Sequence, residues 1–96
     1  MAEKPGFVYI LTNVNHTVLY IGVTSNLPAR VDQHRQGPTD SFTRRYRLTK
    51  LVYYEQLDSM YEAIAREKQL KGGSRKKKMA LIDALNPEWK DLSLGL

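Results

Sequence analysis

From Phe7 to Leu11 the chain runs Phe-Val-Tyr-Ile-Leu without a polar interruption, and from Val18 to Val23 it runs Val-Leu-Tyr-Ile-Gly-Val. Short runs rich in β-branched and aromatic side chains predict strands, the first of them buried on both faces. The polar stretch from Asn13 to Thr17 predicts a hairpin turn, although Val14-Asn15 is not a strong two-residue turn signal. Thr24, Ser25 and Asn26 then supply capping side chains ahead of Leu27-Pro28-Ala29. A helix is predicted from there to about Gln36, where Gly37-Pro38 stops it. Residues 37 to 49 predict a basic loop, and Leu51 to Gln56 a third strand. Ser59 and Glu62 form a capping box for a helix reaching about Lys71, and Ser74 caps a last helix that ends before Asn86-Pro87. Trp89 and Leu92 are expected to fold back on the body. The order β-β-α-β-α-α predicts an α+β domain with a small three-stranded antiparallel sheet flanked by helices. Ninety-six residues predict one domain spanning 1–96.

Composition narrows the chemistry. Hydrophobic residues are 42% and charged residues 26%, as in ordinary globular proteins. There is no cysteine, which excludes disulfide scaffolds, thiolate zinc sites and cysteine nucleophiles. The N-terminus lacks an apolar signal core and no apolar run approaches the ~20 residues of a membrane span, so a cytoplasmic protein without a membrane partner is expected. Net charge is +5, from fifteen Lys and Arg against ten Asp and Glu. That balance favours a polyanionic partner without specifying one, because each neutralised phosphate releases counterions.

Four features carry candidate chemistry, each with a plainer alternative. A register that sets Tyr9 opposite Tyr20 puts both phenols on one face of the hairpin, ~5 Å apart at Cβ. Gly22 beside them removes a side chain and permits close approach. Ordinary strand packing is the alternative. Glu67 falls in the middle of the stripe Met60, Ala63, Ile64, Leu70, where a carboxylate has to be protonated, paired or metal-bound. A salt bridge to Lys71, or a helix rotated to expose Glu67, is the alternative. Arg30 and His34 stand one helical turn apart, two donors suited to a phosphate or else a solvated cationic face. Gly72-Gly73-Ser74-Arg75-Lys76-Lys77-Lys78 puts cations in a helix's first turn, against the macrodipole but favourable for a phosphate. His16 sits in the turn and is assigned no role.

Phe7-Val8-Tyr9 and Tyr20-Ile21-Gly22, with Arg30 after them and Glu67 on a later helix, resemble the ordered motifs of the GIY-YIG nuclease superfamily. The tail, with Gly-Ser-Arg-Lys-Lys-Lys and then Asn86-Pro87-Glu88-Trp89, is similar to a small bacterial group related to the nuclease domain of the excision-repair excinuclease. The first motif departs from Gly-Ile-Tyr but keeps its tyrosine. Val23 stands where excision-repair relatives carry lysine, and His34 where some relatives carry tyrosine.

The resemblance implies a metal-dependent DNA endonuclease acting in repair or turnover. It implies Tyr9, Tyr20, Arg30, His34 and Glu67 as catalytic residues converging on one shallow surface, with Mg²⁺ or Mn²⁺ on Glu67. Arg30 would neutralise charge on phosphorus, and Tyr20 or Tyr9 would take a proton from the attacking water. Arg44, Arg45, Arg47, Lys71, Arg75, Lys76 and Lys77 would hold the strand. No further DNA-targeting domain fits in this length, so specificity is expected to be weak or structure-directed, with targeting left to a protein partner. A nucleic-acid-binding module without turnover is the alternative, and a regulatory protein using the same surface is a third.

Overall fold

The computed structural model describes residues 4–36 and 41–96. Its elements are β1 (Gly6–Thr12), β2 (Leu19–Thr24), α1 (Leu27–Gln36), α2 (Ser41–Tyr46), β3 (Lys50–Leu57), α3 (Met60–Gly72) and α4 (Arg75–Leu85), with a closing 3₁₀ turn at Leu92–Gly95. The sheet is antiparallel in the order β2-β1-β3, so the α+β architecture and its element order are those expected. The addition is α2. Residues 41–46 contain no glycine or proline, and Arg44 and Arg45 fall in the last turn of the helix, where cations suit the macrodipole. Expected as loop, this segment therefore takes one and a half turns of helix and ends at Arg47, whose φ is 55°. The expected stop at Gly37-Pro38 lies outside the described residues.

β1, the central strand, is buried on both faces as its apolar run requires. On one face Val8, Ile10, Ile21, Val52, Ala63, Leu70 and Ile82 form a core closed by α3, α4 and Trp89. On the other, Tyr9 and Leu11 pack with Leu27 and Val31 of α1 and with Leu48 and Leu51. Gly6 admits α3 to the sheet, because a Cβ there would stand 2.7 Å from that of Ala63. Arg66 then pins α3 to β3: its Nε and Nη2 donate to Oε2 of Glu55 at 3.1 and 3.0 Å. Tyr53 donates to the same carboxylate, and burial together with that acid pushes its phenol up to about 12.

Both later caps form where the serines predict them. Ser59 Oγ accepts the Glu62 N–H and Ser74 Oγ accepts the Lys77 N–H, each at 3.2 Å. The tail folds back. Trp89 is buried, and its indole donates to Asp83 at 2.6 Å. β1 and β3 shift register between Ile10 and Leu11, leaving Val52 as the extra residue of a bulge. Asn86 donates to the Val52 carbonyl at 3.1 Å, and Asp91 accepts the Leu51 N–H at 3.3 Å. Among the described residues no helix is long and apolar enough to cross a membrane.

Candidate active site

The hairpin register decides how the tyrosines meet. Tyr9 pairs with Gly22 and Tyr20 with Leu11, so the phenols are diagonal neighbours on one face and not directly opposite. The six-residue turn, 13–18, sets this offset: Asn13 Oδ1 accepts from the backbone N–H of Thr17 and of Val18. The Tyr9 ring leans across Gly22 toward the sheet edge. A Cβ on Gly22 would stand 2.4 Å from the phenol oxygen, so this glycine makes room for Tyr9 itself. The two rings lie 6.4 Å apart, centroid to centroid.

α1 supplies the next layer. Asn26 Oδ1 accepts the Ala29 N–H at 3.2 Å, capping the helix start, and Leu27 and Val31 anchor it to the sheet. Arg30, one residue before Val31, donates its Nε to the Tyr9 phenol at 3.2 Å. That hydrogen bond, and the neighbouring phenols, raise the Arg30 pKa further. Its Nη1 donates to Gln33 at 3.4 Å. His34, expected at the solvated edge of the helix, is turned inward and only 3% exposed, with Nε2 at 3.4 Å from the Tyr9 oxygen. It packs edge-on to both tyrosines, at 6.1 and 6.0 Å. Reaching past Gly22 is what brings the Tyr9 oxygen to His34.

Tyr9 is wholly buried, and that burial raises its pKa above the ordinary phenol value; the bond and charge of Arg30 oppose the shift without reversing it. Tyr20 and Arg30 are half-buried, and Tyr20 lines a small cleft at the β2 edge. The cluster thus has a buried layer, Tyr9 and His34, behind an accessible layer, Tyr20 and Arg30.

Glu67 approaches from elsewhere. α3 packs on the sheet face away from α1, against β1 and the edge strand β2. The negative charge of Glu67 nevertheless contributes to the raised Tyr9 pKa. α3 is also rotated relative to the expected stripe: Ala63 and Leu70 are buried, but Ile64 is 41% exposed. The Glu67 side chain retains 17% exposure and pairs with Lys71 at 3.4 Å. Partial burial and the Lys71 partner occur together. Among the described residues no three acids or histidines gather closely enough to cage a metal.

The expected strand-holding cations fall into two groups. Arg44, Arg45 and Arg47 are exposed, with Arg45 lying 5.6 Å over the Tyr46 ring. Lys76 and Lys77 are exposed on α4, while Arg75 turns to the hairpin and donates to the His16 carbonyl at 3.1 Å. Ser74 already occupies the Lys77 N–H, so the α4 N-terminus offers fewer free donors than its sequence suggests. Lys78, one position beyond the expected set, is the better placed of the run. It lines a small cleft at the β2 edge with Tyr20 and Lys71. Its partial burial, unlike the exposure of Arg75, Lys76 and Lys77, follows from helical phase, which was the available signal.

A profile of the GIY-YIG catalytic domain matches residues 5–80. A UPF0213 protein of Syntrophus aciditrophicus is 40% identical over 83 residues, covering 85% of this chain and 93% of the relative. One from Staphylococcus haemolyticus is 36% identical over 77 residues, covering 80% and 93%. One from Natronomonas pharaonis is 38% identical over 76 residues, covering 79% and 88%. The solution NMR structure of a UPF0213 protein from Bacillus halodurans superposes with a TM-score of 0.58 at 28% identity, covering 91% of this chain and 92% of that one. The chain therefore belongs to the GIY-YIG nuclease superfamily and, within it, to the UPF0213 group.

Proposed function

We propose that this protein is a metal-dependent DNA endonuclease of weak or structure-directed specificity. One observation supports the reading above the others: a half-buried guanidinium held at its Nε by a buried phenol, with a second, accessible phenol beside it. Arg30 is fixed through Nε, its Nη1 donates only at 3.4 Å to the exposed Gln33 carboxamide, and its remaining N–H groups suit a phosphate whose charge grows in the transition state.

The layering divides the two tyrosines' roles. Tyr9 keeps its proton near neutrality, since burial raises its pKa, and it positions Arg30. Tyr20, half-buried at the β2 edge cleft, accepts the proton of the attacking water. His34 backs Tyr9 and fixes its orientation. The cations at Arg44, Arg45, Arg47, Lys71, Arg75, Lys76 and Lys77 hold the strand, joined by Lys78.

Nucleases of this superfamily generally use divalent metals, and the donors present fit a hard, largely hydrated ion such as Mg²⁺ or Mn²⁺. Glu67 is one partly accessible carboxylate, and Mg²⁺ is commonly held by one or two carboxylates with water and substrate phosphate. Such an ion, when bound, supplies Lewis-acid stabilisation of the developing charge. Lys71 is 55% exposed, so its pairing with Glu67 is weak and easily exchanged. The same pair is what favours the second reading, DNA binding without turnover.

Nicking of supercoiled plasmid with Mg²⁺ or Mn²⁺, native protein beside Glu67→Gln, tests the proposal. Loss of a metal contribution of several kcal/mol predicts a fall of about three orders of magnitude, with metal-free DNA binding retained. A less stable but fully active Glu67→Gln protein would make Glu67 a structural partner of Lys71 and remove this account of the metal.

A further inference from the structure

Beside the tyrosine–arginine cluster lies a second cleft, of about 510 Å³, between the hairpin turn, the end of α1 and α2. Asn15, His34, Arg44, Tyr46 and Arg47 are among the residues that form its walls. Its volume is that of a small-molecule site.

Its lining differs from the other basic surface of the protein. The groove between α3 and α4 offers lysines and Arg66 over Leu70 and Leu81, charges over an apolar floor. The cleft beside α1 combines planar guanidinium groups, carboxamides and a phenol ring, with no carboxylate among the described residues that line it. Guanidinium forks and amides hydrogen-bond to phosphate and to base edges, whereas ammonium groups act as point charges. Of its three arginines, Arg35 is already paired with Asp91. Arg44 and Arg47 have no ion-pair partner among the described residues.

Two further observations bear on it. Arg47 has φ 55°, the left-handed conformation that normally closes a helix with glycine or asparagine. An arginine there is a less stable choice for the backbone than glycine. His34 belongs both to this cleft and to the tyrosine cluster, with Nε2 at 3.4 Å from the Tyr9 oxygen that holds Arg30.

We propose that this cleft binds the nucleotide flanking the scissile phosphate. Arg44 and Arg47 take its phosphate, Asn15 meets its base edge, and His34 joins the occupied cleft to the reaction centre. The inference rests on the nuclease reading for the word "scissile", but binding to the cleft can be measured without turnover.

The experiment titrates the full ¹⁵N-labelled chain, free of divalent metal, with thymidine bisphosphate and, separately, inorganic phosphate. Amide shifts at Asn15, His34, Arg44 and Arg47 are expected with thymidine bisphosphate, together with at least ~10-fold tighter binding than phosphate, the nucleoside and second phosphate together supplying about 1.4 kcal/mol or more. Arg44→Gln and Arg47→Gly should each weaken that binding several-fold. Glycine suits the left-handed backbone and glutamine the helix, so both proteins should fold, as their spectra will show. Equal affinity for phosphate and thymidine bisphosphate overturns the nucleotide assignment, as do shifts confined to other surfaces or full binding by both variants. Plasmid nicking by the same proteins separates the two proposals. Cleft binding without nicking by the native chain sinks the nuclease reading alone; normal nicking with no cleft binding sinks this one alone.

Discussion

Val8 and Tyr9 are adjacent on β1 and both wholly buried, yet they enter different interiors. Val8 joins a face made of Ile10, Ile21, Val52, Ala63, Leu70 and Ile82, where tight packing of apolar groups provides the stability. Tyr9 enters a face with a phenol, an imidazole and a guanidinium linked in one network. No described buried side-chain polar atom lacks a hydrogen-bond partner, so this polar network, set beside Leu11, Leu27 and Val31, is fully satisfied. The apolar face holds the sheet, and the polar face holds a geometry. A strand buried on both sides lets one element serve both purposes.

The largest expected effect tests the apolar side. Ile10→Ala removes a wholly buried side chain and should lower unfolding stability by about 2–5 kcal/mol in denaturant titration. A loss below about 1 kcal/mol would mean that this face collapses readily and is not the tighter of the two. Gly22→Ala tests the polar side. The new methyl group would occupy the space of the Tyr9 ring, move the phenol from Arg30 and cut nicking by about 100-fold. Native nicking by a folded Gly22→Ala protein would show that the position of Tyr9 is irrelevant to the chemistry.

Tyr9→Phe is subtler. It keeps the ring and removes one oxygen, leaving Arg30 Nε and His34 Nε2 without that partner, at a cost of about 1–3 kcal/mol. Nicking should fall while the apolar face is undisturbed. If stability falls and nicking does not, the network is structural only.

The smallest effect is in pH. His16, stacked on Trp89 at 4.8 Å, has Nε2 at 2.9 Å from Lys50 Nζ. Partial burial and the Lys50 charge hold its pKa below 6.5. The unfolded chain therefore takes up the proton first, and stability should fall as pH drops below about 6.5. The difference in melting temperature between native and His16→Gln proteins should narrow or reverse from pH 7 to pH 5. A pH-independent difference would refute the assigned shift.

Much of this arrangement was legible from local chemistry. Pro28, Ser59, Ser74 and Asn86-Pro87 mark element ends because each acts on the backbone within a turn or so of its position. The shared face of Tyr9 and Tyr20 was legible only on condition of the register, since a slip of one residue would part them. Their diagonal offset was not legible, because it depends on how Asn13 hydrogen-bonds a six-residue turn. The burial of His34 was illegible for the same reason, since it needs Tyr9 extended across Gly22 from a different element. Glu67 stood out as an acid between Ala63 and Leu70, and Lys71 was the visible partner. That its charge reaches Tyr9 from the helix on the opposite face is tertiary information. α2 was missed because six residues without breakers carry no apolar period.

The returning tail has a consequence for how copies of this chain meet. β3 is an outer strand, and outer strands present unpaired N–H and C=O groups that recruit further strands. Here Asp91 takes the Leu51 N–H and Asn86 takes the bulged Val52 carbonyl, while Arg35 clasps Asp91 from α1. The first part of that edge is thereby closed to intermolecular sheet growth, by side chains from a segment that contributes no strand of its own.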